Sequence, residues 1–303
     1  MSHMGSPRQR IKESKGDAAF TWINYSILLT MVIITLYPLI YIVSASFSDS
    51  QAVVSGKVWL WPVQPTLDGY EAIFKHKLIV SSVMNSFYYM IVGTLFNVVL
   101  TLLAAYPLSR RDFYGAKLFM VLLVFTMMFD GGLIPRYLLV KDLGMLDTRW
   151  ALIIPAALSV WNVIITRTYF RVTISSELLE AAQMDGCNDF RFLWRIVLPL
   201  SAPIIAVISL FYAVGHWNQY FNALIYLKDQ SLYPLQIVLK DILVQNKVDM
   251  SMVADAVEMA EKDALRQLLK YSLIVVAAGP VLVLYPFVQK HFVKGVMIGS
   301  LKE

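Results

Sequence analysis

The sequence predicts an all-α fold: a polytopic membrane protein with six transmembrane helices. Three observations point there. Of 303 residues, 58% are hydrophobic and only 16% charged, whereas soluble domains carry about a quarter charged residues. The apolar residues gather in long windows free of Asp, Glu, Lys and Arg, and a helical span needs about 20 such residues. The intervals between the windows hold the charges and the helix-capping signals.

The windows follow in order. Residues 18–48 run 31 positions without a charge, 78–109 run 32 and 196–227 run 32. Residues 150–166 and 271–289 add windows of 17 and 19. A weaker window, 118–129, has 12. It becomes a span when Lys117 snorkels at one end and Asp130 is tolerated near the other. The first window is too long for a secretory signal core, and no small-residue cleavage site follows it, so a retained span is expected. The opening Met-Ser-His-Met-Gly-Ser, with its His3, has the look of a cloning scar. The resulting division is a tail over 1–17 (1–6 the scar), a six-span domain over 18–290 and a tail over 291–303. The elaborate loops of that domain are 171–197 and 228–270.

Several chemistries are excluded. Cys187 stands alone, so neither a disulfide nor a cysteine metal site is available. His76, His216 and His291 are scattered, with no carboxylate cluster beside them. The formal charge of +5 forms no nucleic-acid patch and is a topology signal. Six spans put both ends on one side. With the N-terminus inside, the segments 1–17, 108–117, 167–197 and 289–303 hold 14 Lys/Arg. The longer outer segments 49–78, 130–149 and 228–270 hold 12. The density of basic residues favours this orientation.

Among the outer loops, Trp59-Leu-Trp-Pro62 and Pro65 suggest an interfacial turn with an aromatic belt. Loop 228–270 contains two helical patterns. Leu235, Val238, Leu239, Ile242 and Leu243 share one face in the first; Val253, Val257, Ala260, Ala264 and Leu268 share one in the second. Two readings stand: helices lying on the outer membrane surface, or a docking platform for an outside protein. Asp130 and Arg136 bracket Gly131-Gly-Leu-Ile-Pro135 near the outer end of the third span. Either the cation attracts acidic ligands or the two charges pair. Arg167, at the inner end of the fourth span, is expected to snorkel to headgroups.

The inner loop is the most patterned interval. Ser175 or Ser176 can cap a helix whose first turn holds Glu177. Leu178, Ala181, Ala182 and Asp185 fall on one face. Gly186 suits the left-handed position that ends helices. Asn188 or Asp189 can cap a second helix over 190–197, with Phe190, Leu193, Trp194 and Val197 apolar. Pro199 then sits at the entrance of the fifth span, where a missing N–H is harmless. The pattern encodes helix, corner, helix. It serves either as a rigid lever for a soluble partner or as an ordinary loop.

The spacing Glu180-Ala181-Ala182, three residues, Gly186, nine residues, Ile196-x-Leu198-Pro199 resembles the signature of permease subunits of ATP-binding-cassette importers. Gly131-Gly-Leu-Ile-Pro135, Trp150-Ala-Leu-Ile-Ile-Pro155, Trp217-Asn218 and the tail Val293-Lys-Gly-Val-Met-Ile-Gly-Ser-Leu-Lys302 resemble the carbohydrate-importing branch. The chain is similar there to the smaller, maltose-type subunit, and to the group handling pectin fragments or alginate.

The resemblance implies a type I importer fold and a heterodimer with a second permease subunit. It also implies a cytoplasmic ATPase dimer and an extracytoplasmic solute-binding protein that meets the loop between spans five and six. Glu180, Ala181, Ala182, Asp185 and Gly186 would then form the ATPase-coupling helix, and the tail would lie against the ATPase rather than being a solvated basic end. No Gly-x-x-x-x-Gly-Lys-Ser/Thr phosphate loop is present. The chain is therefore expected to be no enzyme and to bind no cofactor, with ATP and Mg2+ held by the partner ATPase. Trp217, Asn218, Tyr220 and Asn222 are candidates for the sugar path: helical spacing over 216–222 stacks Asn218 on Asn222, Trp217 on Phe221 and His216 on Tyr220, and an apolar ring beside an amide suits a sugar's C–H face and O–H rim. The competing reading is an aromatic belt with Asn joining two helices. A secondary transporter acting alone would want mid-membrane carboxylates and an internal repeat, and an intramembrane enzyme would want paired catalytic groups. The sequence shows none of these.

Overall fold

The computed structural model describes residues 14–244, 264–283 and 286, which are helical with no strand among them. The tails over 1–13 and 291–303, and positions 252–263 of the second outer pattern, lie outside the described residues. Two compact units divide what is described. The first takes residues up to Gly69 with 264–272; the second takes Tyr70 to Val244 and the residues from Leu273 on.

In the first unit a 32-residue helix, Lys15–Ser46, opens with a reciprocal cap between Ser14 and Asp17. It buries no side chain before Ser44. A helix that is apolar all round and uncovered belongs in lipid or against another subunit. Its last turns join Ala52, Val53 and Val58 in a small core around Leu268, with Tyr41 edge-on to Tyr271 at 5.7 Å.

The second unit is built on the 33-residue segment Lys77–Ser109, which contains a π-helical turn at Tyr89–Gly93. Its inner half, Thr94–Ser109, packs along Val160–Thr173 and Ala202–Trp217. Val98, Leu102, Ala105 and Leu108 meet Val163, Phe170, Ile204 and Ile208 in one buried cluster. The segments Lys15–Ser46, Lys77–Ser109 and Ala264–Val283 are each long and apolar enough to cross a membrane.

The other three windows are interrupted. Ala116–Met128 turns by 112° into Leu133–Asp142 across Gly132, whose φ is +87°. Only a residue without Cβ takes that angle at low cost. The fourth window is not one helix. Trp150–Ile153 ends at Pro155, and the chain resumes as Val160–Thr173. Proline lacks the N–H that a continuing helix needs and clashes with the preceding turn. The fifth window bends by 82° at Ser201, and its long helix stops at Trp217 before Phe221–Tyr226 begins. The sixth is already helical at Ala264, the first described residue there, and runs unbroken to Val283, so Ala264 and Leu268 belong to the long helix.

The first outer pattern forms Leu235–Val244. Its expected face is covered: Leu235, Val238 and Ile242 are buried, and the Leu235 N–H donates to Ser86 Oγ at 2.8 Å. The apolar face therefore rests on the chain's own second segment, and not on a membrane surface.

The closest approach in this unit is at Gly93. A Cβ there would stand 2.5 Å from Nε2 of the buried His216. Gly93→Ala should destabilise the protein by about 1–3 kcal/mol through overpacking. Thermal unfolding in detergent checks this: Gly93→Ala combined with His216→Gly should lose less than the sum of the single losses.

Candidate functional site

The inner loop folds by local rules. Ser175 Oγ accepts from the Leu178 N–H at 3.3 Å and starts helix Ser176–Met184. The helix ends in paired return bonds: the Cys187 N–H donates to Ala182 O at 2.9 Å and the Gly186 N–H to Gln183 O at 3.0 Å. That closure needs a left-handed residue, and Gly186 supplies it with φ +74°. Asn188 Oδ1 then accepts from the Arg191 N–H at 2.9 Å and starts the next helix, Asp189–Phe192.

Glu180, Ala181, Asp185 and Gly186 are exposed along this elbow. Ala182 is not; it is buried in the core that holds Phe192, Leu193 and Val197. Of the apolar residues of the second helix, Leu193 and Val197 are buried and two others are not. Phe192 is buried, while Phe190 and Trp194 remain 71% and 66% exposed. A π-helical turn at Leu193–Val197 interrupts the 3.6-residue period there.

Arg110, missed in the sequence, ties this elbow to the preceding inner turn. It grips Asp112 with Nε at 2.8 Å and Nη2 at 2.6 Å, and its Nη1 reaches Asp189 Oδ1 at 2.7 Å and Tyr106 OH at 3.0 Å. The hydrogen bond from Arg110 holds the Asp112 carboxyl below its usual range. Two further cations, Arg167 and Arg171, donate through Nε to the end carbonyls of the second segment, at Leu108 (2.8 Å) and Ser109 (3.3 Å). Arg167 thus caps the end of the second segment through Nε, a contact the sequence did not announce. A groove of about 770 Å³ runs between the turn and the elbow, with Arg110, Arg171, Ser175 and Glu180 in its wall.

At the far end of Ala202–Trp217 lies a second feature, a cavity of about 320 Å³. Its wall is made mainly by residues between 211 and 222, closed by Asn97 of the second segment and Ala156 of the broken fourth segment. Where residues 154–159 leave the helix, their backbone groups need partners away from water. Asn97 Nδ2 donates to Ala156 O at 3.0 Å, Gln219 Nε2 to Leu152 O at 2.8 Å, and the Ser159 N–H to Tyr212 OH at 3.0 Å. Tyr212 OH also meets Thr101 Oγ1 at 2.6 Å, and His216 Nε2 lies 3.2 Å from Asn97 Nδ2. Asn97 Oδ1, Gln219 Oε1 and His216 Nδ1 are buried with no partner among the described residues.

The sequence candidates divide around this cavity. Asn218, Tyr220 and Asn222 line it. Trp217 does not: it is fully buried, donates Nε1 to Ala277 O at 2.8 Å and stands edge-on to Phe87 at 5.1 Å. The helical stacking expected across 216–222 is interrupted, because Asn218, Gln219 and Tyr220 leave the helix and Gln219 turns to Leu152. Asn97, Tyr212 and Gln219 were missed; an amide inside a charge-free window is the signal that marks Asn97. Lys240 was missed too. Its ammonium sits 5.6 Å above the Tyr220 ring, and the hydrogen bond to Tyr220 raises its pKa. Asp130 and Arg136 pair at 2.8 Å.

The turn ahead of Trp150 is pinned to residues 228–229 by Asp147, a non-glycine with φ +58°. Its Oδ1 accepts the N–H groups of Lys228 and Asp229 at 2.9 and 2.8 Å, which lowers its pKa. Arg149 lies 4.3 Å over Tyr88 and donates to Asn85 Oδ1 at 3.2 Å.

A helical membrane chain with an exposed, rigid elbow and a polar cavity is built as the transmembrane part of a transport system. The model of the family described as "Binding-protein-dependent transport system inner membrane component" matches residues 78–298, and the chain belongs to that family. It is 45% identical over 284 residues to the polygalacturonan/rhamnogalacturonan transport system permease protein YtcP of Bacillus subtilis (strain 168), covering 93% of this chain and 98% of that protein. It is 39% identical to Protein LplC of the same organism, over 95% and 97% of the two chains. Among solved structures, a bacterial ABC transporter involved in the import of the acidic polysaccharide alginate has a chain 34% identical to it. The TM-score is 0.86, with 93% of this chain and 100% of that one covered.

Asn97→Leu removes the donor to Ala156 and should cost about 1–3 kcal/mol, the penalty for stranding a buried carbonyl. Thermal unfolding in detergent reads the loss.

Proposed function

We propose that the chain is one of two permease subunits in an ATP-driven importer of oligosaccharides cut from acidic polysaccharides. A second permease subunit completes the translocation path. A dimeric cytoplasmic ATPase holds ATP and Mg2+, and an extracytoplasmic solute-binding protein delivers the sugar. Both termini and the elbow face the cytoplasm, in line with the density of basic residues at that side.

The observation that carries this reading is the elbow, which presents Glu180, Ala181, Asp185 and Gly186 outward on a doubly capped, sharply turned frame. A rigid corner transmits a push where a loose loop absorbs it. Closure of the ATPase dimer would move the elbow, and the segments would rock as bodies between inward-open and outward-open states. An ion-driven transporter acting alone has no support: no carboxylate sits midway along any of the apolar windows.

The cavity supports a sugar. Tyr220 and the exposed Phe221 offer ring faces, and Asn218 and Asn222 offer amides. Trp217 supports the wall from behind. Lys240 supports an acidic sugar, as a cation held beside Tyr220. The permease relative named for polygalacturonan and the solved alginate importer agree with that chemistry.

Uptake by the reconstituted complex tests the elbow. A Gly186→Trp or Glu180→Ala complex should import at least about tenfold less sugar, the cost of losing one charge-assisted contact or its frame. Wild-type uptake and wild-type stimulation of ATP turnover in Gly186→Trp would end the lever reading. Lys240→Gln tests the substrate class: uptake of an oligouronate should fall several-fold more than uptake of a neutral oligosaccharide of equal length, as expected for one lost ion pair.

A further inference from the structure

The turn between the second and third segments carries a second, unassigned site. Residues 110–117 fold back on Gly115, whose φ is +92°, and Phe113 stacks on Phe119 at 6.0 Å. Beside the turn a cavity of about 740 Å³ opens between Ala116–Met128 and Val160–Thr173. Its lining includes the apolar side chains Met120 and Val124 and four cations, Arg111, Lys117, Arg167 and Arg171.

The charges are uncompensated. The carboxylate in this lining, Asp112, is engaged by Arg110. No carboxylate pairs with Arg111, Lys117, Arg167 or Arg171 among the described residues. Arg167 and Arg171 lie one helical turn apart, and each spends only Nε on the carbonyls of Leu108 and Ser109. The Nη edges remain for a planar or tetrahedral anion, the geometry guanidinium groups recognise best. Ala116–Met128 buries none of its side chains, so the apolar part of the lining continues into a helix face suited to acyl chains. Tyr114, fully exposed at the tip of the turn, suits the headgroup layer.

We infer that this cavity binds the headgroup of an anionic phospholipid, with its acyl chains along Ala116–Met128. Basic pockets between spans are a recurring form of lipid recognition. The leaflet is the one on the elbow's side, the cytoplasmic one under the orientation proposed above. Because Arg110 joins Asp112 in the cavity wall to Asp189 in the elbow, a bound headgroup would brace the turn on which the elbow rests. This site depends on the bilayer and on charge, and on neither the sugar nor the motor.

Native mass spectrometry of the delipidated, full importer complex tests it, with phosphatidylglycerol and phosphatidylcholine of identical chains as probes. Phosphatidylglycerol should bind in preference. Arg111→Gln with Lys117→Gln should weaken it about thirtyfold, at the scale of two surface cations, and leave phosphatidylcholine unchanged. These two side chains make no hydrogen bond or ion pair in the described structure, and an unchanged unfolding temperature confirms that the variant is folded. Equal affinity for the two lipids, or full phosphatidylglycerol binding in the double variant, would overturn the assignment. So would displacement by millimolar inorganic phosphate alone, which would make it a free-anion site. Capture of a protein subunit in place of lipid by a photocrosslinker at Lys117→Cys would overturn it as well. Binding is read without transport, so a complex that imports some other solute, or none, still tests the lipid site.

Discussion

Away from water, every backbone N–H and C=O must find a partner inside the protein. The break at Pro155 makes this constraint acute, because residues 154–159 lose the helix that would satisfy them. Asn97, Tyr212 and Gln219 supply the missing bonds from two neighbouring segments. Each of these side chains has one end committed to the backbone of the break. Asn97 and Gln219 also line the cavity, and each keeps a second, buried oxygen without a partner among the described residues. The polar wall follows from repairing the break, and no separate set of ligand groups is required. A continuous fourth helix would have needed no such side chains and would have left an apolar seam.

The elbow end solves a different problem with the same economy of parts. Two short helices must hold a fixed angle beside a basic turn in a wet environment, where isolated ion pairs contribute little. Exposed Asp112 and Asp189 are therefore weak fasteners singly. Joined on one half-buried guanidinium, with Tyr106 as a third acceptor, they form a network with a fixed fork geometry. The structural load falls on burial: Ala182 is small enough to let the first elbow helix sit in the core shared by Phe192 and Val197. A larger residue at 182 would overpack that core, while one at exposed 181 would alter only what a partner meets.

The elbow was legible residue by residue because capping is local. Ser175, Gly186 and Asn188 each satisfy or end a helix through atoms within four positions, and the structure places all three in those roles. The cavity wall was half legible. Asn218, Tyr220 and Asn222 were found from an aromatic-amide cluster, but the continuous helix assumed for them fails at 218–220, since Gln219 serves a carbonyl 67 residues away in sequence. No local period reports such a demand. Phe190, Leu193, Trp194 and Val197 were legible as the apolar residues of the second helix, but not which of them are buried, because a π-helical turn changes the period there and nothing nearby in sequence announces it. Trp217 was legible as important and not as buried: its ring and N–H are both claimed by other segments.

The two ends meet through Tyr212. Its ring belongs to the same buried cluster as Ala182, Phe192, Val197, Ile204 and Ile208, and its hydroxyl holds Ser159 and Thr101 at the cavity. That cluster crosses the 82° bend at Ser201, where a bare helix junction would flex. Interiors at crystal-like packing density transmit displacement because they have little free volume to absorb it. Packing on both sides of the bend therefore makes elbow and cavity wall parts of one body. A push on helix Ser176–Met184 that left the core intact would have to carry Tyr212 with it, and Tyr212 could not move without shifting the backbone of the broken segment. Contiguity of this kind is a condition for coupling and not a measurement of it, yet it selects the moving element: the core moves as a unit, and relaxation falls to the unpacked apolar faces at its edge.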